Sequence, residues 1–189
     1  MVDADGLAKT AAEVAKTGQL PPVEKWNPAF CGDIDIRIAR DGTWFYLGTP
    51  IGRDRLVRLF STILKREGDD YFLVTPVEKV GIKVEDVPFV AVDFRLSGSG
   101  EAQSLIFTTN VGDEAEAGPD HPIRVARDSQ SGEAVPYILI RRNLEARIDR
   151  KSFYRLVELG EELEQNGARW FGIRSGGTFF PMIPATELV

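Results

Sequence analysis

The chain has 189 residues, 43% of them hydrophobic and 28% charged, which is enough chain and enough apolar side chain to bury a core and too apolar for intrinsic disorder. Its net charge of -6 argues against a surface built for nucleic acid or for an anionic membrane, since both repel an acidic protein. One cysteine, Cys31, permits no intramolecular disulfide and fits a reducing, cytoplasmic setting; one histidine, His121, permits no two-histidine metal site.

In chain order, the spacing of Leu7, Ala11, Val14 and Ala15 predicts a short helix over Asp5 to Lys16, ended by Gly18. No basic start and apolar run precede it, and no apolar stretch reaches bilayer length. Ile34, Ile36 and Ile38 alternate with Asp33, Asp35 and Arg37, the pattern of a strand with one buried face. Asp41-Gly42 reads as a two-residue hairpin turn, and Thr43 to Leu47 as the returning strand. Asp54 then caps a helix whose stripe is Leu56, Leu59, Phe60, Ile63 and Leu64, with Gly68 at its C-terminal end. A strand follows at DYFLVTP. Ile82 to Val84, Val87 to Arg95 and Gln103 to Asn110 read as strands, the last two joined by a turn at Ser97 to Gly100. The acidic loop Asp113 to Asp120 lacks the spacing of a calcium loop. Ile123 to Asp128 and Val135 to Ile140 form a second hairpin, and Asp149 caps a second helix carrying Phe153, Leu156, Val157 and Leu163. Gly167 and the strand RWFGI close this part.

These elements repeat. IRIARD at Ile36 to Asp41 returns as IRVARD at Ile123 to Asp128. Ile51, Arg53, Leu56, Arg58, Leu59 and Phe60 match Ile148, Arg150, Phe153, Arg155, Leu156 and Val157 at identical spacing. Gly68, Tyr71, Phe72 and Val74 match Gly167, Trp170, Phe171 and Ile173 in the same way. Three matching blocks in one order mark an internal duplication of a strand-helix-strand unit and an α+β fold, with loop lengths varying as surface connections tolerate. The expected division is 1-80, the N-terminal helix with the first repeat, and 81-189, a larger β-rich domain with the second.

Catalytic motifs are missing from the pattern. GTPIG at Gly48 to Gly52 lacks the Lys-Ser/Thr of a phosphate loop, and no serine sits in a G-x-S-x-G elbow. Cys31 follows Ala29 and Phe30 and reads as a buried small hydrophobe, not a nucleophile. Asp33 and Asp35 read as the solvated side of their strand, and Arg58 and Arg155 as solvated positions opposite the apolar stripes. Arg53 and Arg150 stand at equivalent helix entrances, where a cation opposes the helix dipole. Each therefore calls for a partner, either a carboxylate of its own half or a bound anion sharing the helix amides. Trp44 and Tyr46 share one strand face, which is either core or a flat stacking surface.

The blocks CGDIDIRIARDGTWFYLGTPIGR, YFLVTPVEKVGIKVEDVPF and HPIRVA resemble a bacterial family known as domain of unknown function 1285, over about Leu20 to Met182. The resemblance implies a duplicated α+β core whose C-terminal half is a strongly curved antiparallel sheet with a helix, superficially like a pleckstrin-homology fold. It also implies a ligand pocket between the halves, for a nucleotide-like molecule, and a signalling role. Together with the residues, this yields an expectation of a non-catalytic ligand-binding protein without cofactor or metal. The expected ligand-binding residues are Trp44, Tyr46, Arg53, Lys79, His121, Tyr137, Arg141 and Arg150. An enzyme acting on a phosphorylated small molecule, and an adaptor binding a protein partner through a sheet edge or groove, are the alternatives.

Overall fold

The computed structural model describes residues 2–188, apart from the Thr17 side chain, and the chain divides into two compact units, Met1–Pro88 and Phe89–Val189. Among the described residues there are three α-helices and fifteen strands. Among the described residues no helix is long and apolar enough to cross a membrane.

In the first unit, α1 spans Ala4–Val14, with Asp3 accepting a hydrogen bond from the Gly6 amide as its N-cap. A short 3-10 turn, Ala15–Thr17, continues it to Gly18, whose φ of 71° supplies the left-handed stop. The sheet runs β3 (Thr49–Pro50), β2 (Trp44–Tyr46), β1 (Phe30–Ile38), β6 (Lys79–Val84), β5 (Asp70–Val74) and β4 (Leu64–Glu67). Ile34, Ile36 and Ile38 are buried while Asp33 and Asp35 are exposed, as alternation requires. Ile36 pairs with Tyr46 and Ile38 with Trp44, so the same sheet face continues across β2. Onto this face packs α2 (Asp54–Thr62), whose Phe60 stacks on Trp44 at 6.4 Å. Leu7 and Ala11 of α1 are fully buried, and α1 packs against α2. Full burial of side chains such as Leu7, Phe60 and Leu73 contributes roughly 1.5–3 kcal/mol each.

Several expected boundaries move. The β1–β2 connection is longer than a two-residue turn: the Ala39 amide donates to the Thr43 carbonyl and Gly42 bends the loop at φ 86°. The two-residue turn lies one strand later, at Leu47 and Gly48, with φ of 50° and 74°. Asp54 is the first helical residue and Arg53 the cap position. Ile63 ends α2, Leu64 opens β4, and Gly68 turns the β4–β5 hairpin. The place expected for a boundary, Gly81, falls inside β6, which pairs parallel with β1 and antiparallel with β5. It is a central strand of this sheet.

In the second unit a six-stranded sheet runs β10 (Ile123–Arg127), β11 (Ala134–Arg141), β12 (Leu144–Ile148), β7 (Phe89–Ser97), β8 (Ser104–Thr109) and β9 (Glu114–Glu116). Every pairing is antiparallel except β12 with β7. The sheet curls into a half-barrel, bringing β9 back towards β11. Arg141 on β11 pairs there with Asp113, just before β9, and lies over the Phe89 ring. With helix α3 (Arg150–Glu158) beside it, this is the superficial pleckstrin-homology likeness. Asp149 caps α3 through the Ser152 amide at 2.8 Å. Arg155 of α3 is not simply solvated: it pairs with Asp93, donates to the Phe94 carbonyl and covers the Phe94 ring. A three-stranded sheet, β13 (Glu161–Gln165), β14 (Ala168–Ser175) and β15 (Thr178–Pro184), completes the unit. Leu163 belongs to β13, and Gly167 turns the β13–β14 hairpin just as Gly68 turns β4–β5.

Both units thus show the same order: three meandering strands, a helix, then a hairpin. The duplication lies in that order, and the closure differs. In the first unit the hairpin rejoins the meander's sheet through β6; in the second it forms its own sheet with β15. Buried Ser175 fastens that sheet, accepting from the Leu105 amide at 2.8 Å and donating to the Ala117 carbonyl at 2.7 Å.

Replacing Ser175 by alanine orphans a buried N–H and a buried C=O, and should lower unfolding free energy by about 2 kcal/mol in denaturant titration. Asp113→Asn removes the charge-assisted hydrogen bond to the half-buried Arg141 and should cost roughly 1.5–3 kcal/mol in the same titration. The pH dependence follows from carboxylates held below their ordinary values. Glu85 is lowered by the Arg40 amide and then the Arg37 guanidinium, and Asp93 by Arg155 and then the Phe94 amide. A lowered folded-state value means stability present above the ordinary carboxylate range and lost as pH falls through the lowered value. Thermal melting should therefore be flat near neutrality and fall in acid, with a shallower fall in Glu85→Gln.

Candidate functional site

A concave site with convergent polar groups lies in the first unit, a cavity of about 410 Å³. Its shape follows from a rapid double reversal of the chain. The turn at Leu47-Gly48 sends Thr49–Pro50 back along β2, and the Ile51 amide bonds the Trp44 carbonyl at 2.8 Å. The chain then enters α2 at Arg53, which is extended (φ -99°, ψ 97°) and accepts from the Leu56 and Val57 amides through its carbonyl. No side chain caps this helix start, and the Arg53 guanidinium has no hydrogen bond or ion pair among the described residues. Tyr46, Thr49, Leu56 and Phe60 line the cavity with Arg53, as do Asp3, the cap of α1, and Asp5 in its first turn. Asp3 is engaged as the cap of α1; Asp5 has no partner among the described residues.

The chemistry of this arrangement is that of a receptor for a small polar molecule. Its volume suits a small organic ligand. Arg53 and the uncapped amides at the α2 start supply positive potential for an anionic group. The two carboxylates need hydrogen-bond donors, such as an amine or hydroxyls, and Tyr46 supplies an aromatic ring.

Of the eight residues singled out by sequence, the structure brings Tyr46 and Arg53 into this cavity. Trp44 does not present a flat surface: it is 1% exposed, with its indole N–H unpartnered among the described residues. Lys79 lines a different cavity, bound to Glu67 and lying over the Phe72 ring at 4.2 Å. His121 lines a cavity of the second unit and contacts the Leu139 carbonyl through Nδ1 at 3.1 Å. Tyr137 is buried beneath the Arg124 guanidinium. Arg141 is half-buried beside Asp113; desolvation pushes its guanidinium down from the ordinary value, and Asp113 opposes this. Arg150 is 73% exposed and pairs with Glu133 at 3.3 Å, the carboxylate option left open for it.

Cys31 is exposed rather than buried, its thiol donating to the Ala29 carbonyl. Among the described residues no group of three His, Cys, Asp or Glu side chains forms a metal set. Asp3, Asp5 and Thr49 are site residues that sequence reasoning passed over. Only the packing of α1 beside α2 makes them neighbours of Arg53, and no local pattern encodes that contact.

Comparison with known proteins gives the chain its relatives. No curated protein matches it. It is similar over 100% of its length to 99% of a DUF1285 family protein of known crystal structure from Silicibacter pomeroyi DSS-3, with 57% identity and a TM-score of 0.90. It is also similar to a DUF1285 family protein from Shewanella baltica OS155, with 31% identity and a TM-score of 0.52 over 65% of this chain and 90% of that one. Residues 21–87 match the domain of unknown function (DUF1285), N-terminal domain, and residues 88–182 match the protein of unknown function (DUF1285), C-terminal domain. These matched segments meet at residues 87 and 88, beside the division between the compact units, and the chain belongs to the DUF1285 family.

Proposed function

We propose that the protein is a ligand-binding protein with a signalling role, taking a small phosphate-bearing, nucleotide-like molecule in the cavity of its N-terminal unit. The observation that carries this reading is Arg53, a guanidinium without an internal partner beside an uncapped helix start in a 410 Å³ cavity. A planar guanidinium fork in the same cavity as a helix N-terminus matches a phosphate, which accepts hydrogen bonds from both. Asp3 and Asp5 then meet ribose hydroxyls or an exocyclic amine, and Tyr46 offers its ring to a base. Binding rather than turnover is the reading because Asp3 is committed to capping α1 and neither Cys31 nor His121 lines the cavity.

The test is a calorimetric and thermal-shift series with nucleoside mono-, di- and cyclic phosphates against the matching nucleosides. A phosphate-bearing member should bind and raise the melting temperature, and added salt should weaken it. Arg53→Gln should weaken that binding at least about tenfold, since a charge-assisted hydrogen bond contributes roughly 1.5–3 kcal/mol. Its ligand-free melting should match the parent, because Arg53 pairs with nothing internal. Equal binding by parent and Arg53→Gln, or no dependence on phosphate, rejects the reading.

A further inference from the structure

The opposite face of the same N-terminal sheet carries a separate feature. Alternation along β1 sends Asp33, Asp35 and Arg37 away from α1 and α2. Pairing extends that face sideways: Asp33 lies beside Gly81, Arg37 beside Lys83, and Phe72 beside Gly81. Phe30 is three positions from Asp33, and simple alternation would put the two on opposite faces. A register irregularity between them, with Gly32 at φ 95°, resets the alternation, and the Phe30 ring meets Phe72 edge-on at 6.0 Å. Phe30 is 57% exposed there.

Phe30, Asp33, Phe72 and Gly81 line a cavity of about 340 Å³. Gly81 lies mid-strand without a left-handed φ, so backbone conformation gives no reason for glycine at this position. Space gives the reason: a Cβ at 81 would collide with Oδ1 of Asp33, whose carboxylate rests on the bare backbone. A glycine inside a strand marks such close approaches. Asp33 and Asp70 both line the cavity, and neither has a partner among the described residues. The cation present, Lys79, is already satisfied by Glu67, which Lys65 also contacts. Two aromatic rings and two unengaged carboxylates around a recess form the complement of a flat organic cation. A neighbouring cavity of about 400 Å³ shares Asp70, Tyr71 and Ile82 with it and carries the groove on to Arg37 and Glu85.

We propose that this recess is a second binding site, for an amidinium or guanidinium group on an apolar body, with Asp33 as its anionic anchor, Phe30 and Phe72 as its walls and Gly81 as its floor. The group could belong to a free small molecule or to an arginine of an extended peptide lying along the groove, and both arms are tested. Benzamidine is titrated against the full chain beside benzamide, its neutral isostere. A short arginine peptide is titrated beside the same peptide with citrulline. At least one cation should bind at least tenfold more tightly than its neutral counterpart, and the tighter of the two shows which source the site prefers. Asp33→Asn should remove at least tenfold of that affinity without changing the melting temperature, since Asp33 holds nothing internal. Gly81→Ala is compatible with the backbone, displaces the Asp33 carboxylate and should do the same. Arg53→Gln, on the opposite face, should leave cation binding unchanged, so this result stands apart from the phosphate test. If cation and neutral isostere bind alike, or if folded Asp33→Asn and Gly81→Ala retain parental cation affinity, the proposal is wrong.

Discussion

A strand in a single sheet layer can bury only one of its two faces, and in the N-terminal unit β1 decides which face that is. Ile34, Ile36 and Ile38 are 8%, 1% and 0% exposed, and hydrogen-bond registry forces every neighbour to follow. Trp44 must share the side of Ile38, so it becomes core and meets Phe60; Gly81 must share the side of Asp33, so it lies on the face turned away from the helices. A one-residue slip of β1 would put three isoleucines into water and three charged residues against the helices, which the burial energy of those side chains forbids. Both recesses of this unit inherit their composition from that assignment. The one on the helix side is lined by the apolar Leu56 and Phe60, and the one on the other face by Phe30 and Phe72 with the carboxylates of Asp33 and Asp70.

The second unit uses the same succession of elements under a different closing rule. Its six-stranded sheet curls until β9 approaches β11, and the three-stranded sheet is fastened by polar contacts. Gln103 donates to the Arg174 carbonyl and receives the Gly176 amide, and Ser175 bridges Leu105 and Ala117. Gly176 is required at this junction: its φ is 56°, and a Cβ would press on the Ala117 carbonyl. Such buried polar joints are directional and costly to leave half made, which specifies one docking of the hairpin sheet where apolar packing alone would allow several. Matching sequence blocks thus encode matching local structure, while the partners available to each hairpin decide which sheet it enters.

The two arginines that occupy equivalent places in the repeat illustrate the same division. Arg150 follows a true cap, Asp149, and finds Glu133, a loop residue with no counterpart in the first repeat. Arg53 occupies the cap position itself and finds no internal carboxylate. Two residues drawn from one ancestral position therefore meet opposite electrostatic surroundings, because the long loop of the second hairpin exists in only one copy.

What the sequence determined by itself is what short-range physics controls: the alternation of β1, the burial of Phe60 and Leu156 on their helices, the Asp149 cap, the stop at Gly18 and the order of elements in each repeat. Each depends on residues within a few positions of one another, where steric and hydrogen-bond preferences act directly. The helix ends were misread by that same logic, since Leu64 continues the α2 stripe in spacing while pairing with Leu73 makes it a strand. Tertiary structure alone decided that β6 joins the first sheet, that Trp44 is core, that Lys79 and Arg141 are consumed by Glu67 and Asp113, and that Asp3 and Asp5 line one cavity with Arg53. These outcomes rest on contacts between residues far apart in the chain. A charge or an aromatic ring carries no local mark of the partner that folding will bring to it.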